Sequence, residues 1–547
     1  MRLDRMGASH QTRLSFMRCL VRRMASEAWR FERVRFDLND DGYGTSVFAA
    51  HTPEHTYALV AFTHALPADQ RTDRVIAEAW DATFNLFDGI PSETDLARLA
   101  KNTPKQEAGR YTATELSLAR ANKSLRTFNH VTEALAAGRQ PDINFLAEVG
   151  YLMRTTAVYG SGKFGCADRA RTAERPEARG AFQVEMLTVY LIRWFTIELA
   201  EHVARAQGGA KAVPLDPAIK RFMGIGNSTG LGMAPFLTRH PILVNNWVTA
   251  RETALARVRA LPRVSPTQCE DLRHLITRLR RHLDEWSVDD AIQEGRIVTL
   301  RGEAADFERR VADHTNLAVE RPWDALFQYA ESTYSLEGQE LVASLLLEPH
   351  ADLVDDLAET MCSSEMAALE PAMSVAALRA SVQARYGWAL ARDYNAPDEQ
   401  RFFWYYSEDK LEPRLSDRFT EPGAELEMPL AFGRDIAALD EALEDADPAI
   451  SVAALLLDHP EFRHVVRRVQ TTAHYPYSEI RDSLIDHHVR PIDLLRFKLA
   501  FFGASKFDPK SDLWTRITMF QGAPMPDELG RPRVDDWAFP VKPEVAS

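Results

Sequence analysis

Between Trp29 and Leu66 apolar side chains recur at every second position, and from Asp73 they recur with a helical period almost to the C-terminus. A period of two suits a strand with one buried face, whereas a period near 3.6 suits a helix. The first stretch reads Phe31-Glu-Arg-Val-Arg-Phe-Asp-Leu38, turns at Asn39-Asp-Asp-Gly-Tyr-Gly44, and continues as Thr45-Ser-Val-Phe-Ala-Ala-His51. Thr52-Pro-Glu-His55 turns the chain again before Thr56-Tyr-Ala-Leu-Val-Ala-Phe-Thr63. Three antiparallel strands in a meander are expected. The expected fold class is mainly α (α+β): multi-helix domains with a small N-terminal antiparallel β-meander.

Breaks in the pattern suggest six parts. They are an N-terminal arm (1–28), the meander (29–72), a helical domain with a glycine-rich loop (73–206), a linker with a second such loop and a helix (207–268), a second helical domain (269–395), and an aromatic loop with C-terminal helices and tail (396–547). Ser92-Glu-Thr-Asp95 and Thr112-Ala-Thr-Glu115 both look like helix starts, the second as a capping box. Gln207–Pro217 is the clearest linker. Residues 6–25 are basic and free of acids, a pattern that suits an amphipathic helix or, alternatively, a transit segment.

Two glycine-rich stretches stand out. Met153–Cys166 is expected to end a helix at Tyr159 and then run Gly160-Ser-Gly-Lys-Phe-Gly165, bringing Ser161 and Lys163 among freed backbone amides. Lysine is scarce, 11 against 54 arginines, which draws attention to Lys163. The spacing is not that of a P-loop, because Ala157 and Phe164 occupy the first glycine and the Ser/Thr positions. Nor is it a dinucleotide fingerprint, since no strand is expected before it. The second stretch, Gly224-Ile-Gly-Asn-Ser-Thr-Gly-Leu-Gly-Met-Ala-Pro235, offers Asn227, Ser228 and Thr229 as donors to an anion or oxyanion. The two are expected to wall one anion site, although both could equally be tight turns.

Over a dozen residues the second stretch resembles the serine-rich mobile loop of the fumarase/aspartase lyases, which also precedes a proline and a long helix. The lysine and asparagine that follow in that family are here Leu and Thr-Arg. The resemblance implies an acid/base lyase-type reaction, with Ser228 in proton transfer or oxyanion binding; the departure leaves the family unassigned.

Lys123, read on a helix with Asn122 and Arg126, and Arg193, inside the apolar run Phe182–Ala206, complete the expected substrate-binding set. A buried Arg193 needs an anionic partner, expected to be a carboxylate of another element or of the ligand. His474 and Tyr159 are the candidate acid/base groups, with Ser228 the third catalytic candidate. No metal site is expected: Glu198 with His202, and Asp482 and Asp486 with His487, lack a third ligand at a known spacing. No cofactor is indicated. The aromatic run after Arg401 suits either a lid or an interface.

The net charge of −14 disfavours a nucleic-acid partner. No run of about twenty apolar residues is present, so no membrane partner is expected. Four dispersed cysteines suit a reducing cytoplasm. The expectation is a soluble cytoplasmic metabolic enzyme, lyase or isomerase, acting on a small anionic molecule, a carboxylate or phosphate ester. A helical interaction scaffold and a nucleotide- or CoA-dependent transferase stay open, as does a homo-oligomer.

Overall fold

Nine strands form one mixed sheet in the order β1-β2-β3-β4-β5-β6-β7-β9-β8. They are β1 (Arg30–Leu38), β2 (Gly44–His51), β3 (Thr56–Thr63), β4 (Ala82–Asp88), β5 (Glu115–Lys123), β6 (Tyr151–Thr156), β7 (Gly224–Gly230), β8 (Ser505–Ser511) and β9 (Trp514–Met519). The computed structural model describes residues 10–70, 79–105, 112–156, 172–230, 241–361, 368–396, 432–478 and 491–544, apart from 173, 181, 395, 497, 512, 513 and 533. Helix predominates among them.

The meander between Arg30 and Thr63 is antiparallel, as its period implies. It is only the beginning of the sheet: β4, β5 and β6 continue the antiparallel pairing, and β7 then joins β6 in parallel. Three helical expectations therefore give way to strands. Thr112 and Glu115 do bond, Thr112 N donating to Glu115 Oε2 and its hydroxyl to Oε1, while the Glu115 amide donates to the Thr112 carbonyl, but the turn they close opens β5. Lys123 ends that strand. The segment expected to be a helix before Tyr159 is β6, and the second glycine-rich stretch begins as β7 rather than as a loop. These sequences are rich in Ala, Leu, Arg and Glu, or in glycine, and pairing with neighbouring strands overrides local preference.

Two layers cover the sheet. Helix α1 (Phe16–Ser26) precedes it. Helix α2 (Glu93–Asn102), opened by the expected Ser92 cap as a Ser92/Asp95 capping box, packs Leu96 and Leu99 onto Val47, Val60, Phe62 and Phe87. Beside α3 (Leu125–Ala136) runs α4 (Gln183–Gly208), across the opposite face. Its Trp194 ring is 4.7 Å from Phe48, and its Phe195 ring 5.5 Å from Phe84. Buried on nearly all sides, α4 needs apolar residues all round, which explains its lack of a polar face.

The N-terminal segment is built into this core. Leu14, Phe16, Met17, Leu20, Val21 and Met24 are fully buried. Arg18, 1% exposed, pairs with Glu348 and Asp535; Arg13 grips Asp355 through two 2.7 Å bonds, and Arg22 reaches Asp535 at 3.1 Å. Burial alone would raise the Asp535 carboxyl, but the charges of Arg18, Arg22 and Arg13 outweigh it and hold the group well below the usual range. An amphipathic helix, one of the two expectations, is what residues 16–26 form.

Contact clustering divides the chain in two. The sheet unit comprises 7–229, 254–359 and 496–547. The other unit comprises 1–6, 230–253 and 360–495 and is helical where described. In the second unit α5 (Val375–Arg385), α6 (Phe432–Asp445) and α7 (Arg463–His474) enclose Leu378, Val382, Tyr386, Ile436, Leu439 and Val466. Ser374 caps α5, and the Tyr386 hydroxyl donates to Thr472 Oγ1 at 2.9 Å.

Candidate anion site

A cleft of about 480 Å³ opens on the sheet unit where β5 passes into α3. Ser124 stands at the N-cap of α3, but its side chain makes no capping bond, and the first turn holds no acid. The leading amides of α3 are thus left for another acceptor, at the positive end of the helix. Asn122, Ser124, Arg126, Tyr151, Arg154 and Arg516 line the cleft, and no carboxylate among the described residues does.

Register explains how these residues meet. Asn122 pairs with Arg154 across β5 and β6, and Arg154 pairs with Gly226 of β7. The Tyr151 ring lies where a Cβ on Gly226 would stand, 2.5 Å from its ring carbons, so only glycine permits that seat. Gly224 admits β9 in the same way: a Cβ there would come 2.4 Å from the Met519 carbonyl oxygen. Arg516 enters from β9. The first two glycines of the second stretch are therefore explained by close packing.

Each cation in the lining has a different status. The Lys123 ammonium lies 5.4 Å from the Tyr43 ring centre and 4.9 Å from that of Phe128, while its amide donates to Asp81 Oδ2. Arg126 is taken up by Glu148 at 2.6 Å and stacks on Phe145. Arg154 and Arg516 form no ion pair with a described residue. Between them Tyr151 is 4% exposed, and its hydroxyl bonds to no described residue. Burial pushes the Tyr151 phenol up, against the lowering pull of Arg516 and Arg154, so it is a protonated donor at neutral pH.

The expected site residues fare unevenly. Tyr159, Ser161 and Lys163 lie outside the described residues, as do Cys166 and the aromatic run from Arg401. The strands leading into the two glycine-rich stretches do lie side by side, with Thr155 paired to Asn227. Asn227 is buried and donates to the Thr155 carbonyl at 3.1 Å. Ser228 is also buried, its hydroxyl without a partner, and it does not line the cleft. Thr229 stands in β7 one residue further on; its side chain is not described.

Arg193 is buried as expected, but its partners are not carboxylates. Its guanidinium donates to five backbone carbonyls, those of Met223, Pro524, Lys220, Arg221 and Ala523, at 2.7 to 3.2 Å. The sequence shows ionic partners but not carbonyls converging from distant turns. Burial pulls the Arg193 guanidinium down to about 10, which leaves it charged at neutral pH. The side chain is 1% exposed and does not line the cleft. His474 ends α7 in the helical unit, 60% exposed and 2.5 Å from Glu370. Glu198 pairs with Arg33, His202 bonds to the Asn39 carbonyl, and no group of three metal-ligating side chains occurs among the described residues.

Tyr151, Arg154 and Arg516 were not among the expected site residues. Arg154 stood in a stretch read as helix, and Arg516 in a tail read as irregular. The alternation of Trp514-Thr-Arg-Ile-Thr-Met519 was the available signal for β9. Compared with protein-family models, curated proteins and solved structures, the chain matches none. No helix among the described residues is long and apolar enough to cross a membrane.

Proposed function

We propose that this chain is an enzyme acting on a small anionic organic molecule held in the cleft between β5–α3, β6 and β9. The observation that carries the reading is the pair Arg154 and Arg516, which meet no carboxylate among the described residues in a lining that contains none. Two half-buried guanidiniums on one cleft, without a carboxylate partner among the described residues, can take a bound anion. The bare N-terminus of α3 adds a third source of positive potential, and protonated Tyr151 adds a donor. The cleft volume falls in the range of small-molecule sites.

The reaction class rests on less. An acid/base lyase or isomerase reaction is the reading carried from the sequence, with Tyr151 now the donor nearest a bound anion. A thermal-shift screen over phosphate esters, dicarboxylates, nucleotides and neutral sugars tests the binding claim. A ligand at a hundred times its Kd should add about 2.7 kcal/mol of stability. Anionic compounds should shift the wild type and leave Arg154→Met/Arg516→Met unmoved. Equal shifts in both proteins, or shifts from neutral sugars alone, would remove the cleft from consideration.

A further inference from the structure

We infer that the cleft is built for a phosphate monoester in its dianionic form, not for a carboxylate or a singly charged ester. This rests on the anion-site reading above and narrows it to a substrate class. The first argument is charge. Arg126 is offset by Glu148, 2.6 Å away. The Lys123 ammonium lies over two aromatic rings, and its backbone amide holds the buried Asp81 carboxylate. Asp508, which faces Arg516 across β8 and β9, shares Lys510 with Asp289, at 3.0 and 3.2 Å. Arg154 and Arg516 add two positive charges with no ion-pair partner among the described residues.

The second argument is geometry. A carboxylate is planar and is satisfied by one guanidinium in a bidentate pair. Here the donors come from separate elements: Arg154 and the Tyr151 hydroxyl from β6, Arg516 from β9, and the first-turn amides from α3. That hydroxyl is the independent sign of a ligand, being on a side chain 4% exposed that lines the cleft and bonds to no described residue. Three terminal oxygens of a tetrahedral phosphate can each take donors from a different side. About 480 Å³ also leaves room for an organic body beyond the phosphate, which favours an ester over the free ion.

The test compares phenyl phosphate, phenyl sulfate and benzoate on the full chain by calorimetric titration at pH 5 and pH 7. The second ionisation of a phosphate monoester lies near pH 6. The side chains around the cleft that could titrate in the same range are few. Burial holds Tyr151 protonated, and the cations around it are Arg126, Arg154, Arg516, Lys123 and Lys510. The acids nearby are Glu148, Asp81 and Asp508, the last raised by burial against the pull of Lys510 and Arg516, and His130, further along α3, accepts from the Asp142 amide.

Phenyl phosphate should bind about tenfold more tightly at pH 7 than at pH 5, following its dianion fraction. Phenyl sulfate, tetrahedral but singly charged, and benzoate should bind more weakly and change little. Equal, pH-independent binding of phosphate and sulfate would overturn the dianion assignment while leaving an anion site. Tighter binding of benzoate would overturn the phosphate assignment. If none of the three binds, the anion-site reading itself falls. His130→Asn should keep the tenfold change; its loss in that variant would assign the pH dependence to the protein and overturn the inference.

Discussion

At the scale of single residues, the molecule uses arginine in three ways, and each predicts a different result on removal. Arg193 is a hub for five carbonyls. Arg193→Met leaves them unsatisfied in a buried site, at about 3 kcal/mol or more, measurable as a lower denaturant midpoint. Lysine should not rescue it, since one ammonium cannot span a planar fork of donors. An Arg193→Met midpoint equal to wild type would mean that solvent reaches those carbonyls. Arg18 and its neighbours hold a buried ion network, whereas Arg154 and Arg516 are the pair proposed to bind a ligand. Histidine supplies the pH dependence. His282 is buried, its Nδ1 2.7 Å from the Pro540 carbonyl, and burial pulls it down to about 4. The unfolded chain takes up this proton first, so stability present above about pH 6.5 is lost as pH falls toward 4, by about 3 kcal/mol. His282→Asn, which keeps a donor but cannot titrate, should flatten that part of the pH–stability curve; an unchanged slope would assign it elsewhere.

At the scale of elements, glycine is where β6, β7 and β9 are decided. Gly224→Ala would drive a Cβ to 2.4 Å from the Met519 carbonyl, a backbone atom that cannot step aside. The expected cost is about 2 kcal/mol or more, seen as a lower melting temperature, while Gly530→Ala, where nothing stands nearby, should be silent. A silent Gly224→Ala would mean β7 and β9 are less closely apposed. The same strands show what the sequence made legible. The meander announced itself because short apolar runs rich in Val, Phe and Tyr lie between clear turns, and α2 because Ser92 and Asp95 sit at capping distance. β5 was hidden because Glu-Leu-Ser-Leu-Ala-Arg-Ala-Asn-Lys123 is built of good helix formers. β7 was hidden because its glycines answer to a tyrosine ring and a neighbouring strand, neither of which is near in sequence.

At the scale of the whole molecule, chain order is a poor guide to architecture. The sheet begins at Arg30 and is completed only by β8 and β9, after residue 504, so the last part of the chain is as central as the first. Arg516 reaches the cleft by that route, and no local pattern could place it beside Arg154. The N-terminal segment is equally integral. Deleting residues 1–28 would remove six fully buried apolar side chains and leave Asp535 and Glu348 without Arg18, so the shortened chain should show no cooperative unfolding of the sheet unit; an unchanged transition would mean α1 is an addition to a self-sufficient fold. The central claim is that Arg154 and Arg516 bind an anion, and a paired calorimetric titration with phenyl phosphate at pH 7 tests it most directly. Wild type should bind, as should Arg281→Met, which removes an exposed charge paired with Glu544. Arg154→Met/Arg516→Met should lose two charge-assisted bonds, roughly 3 kcal/mol or about a hundredfold in Kd. Equal Kd values in all three proteins would contradict the claim.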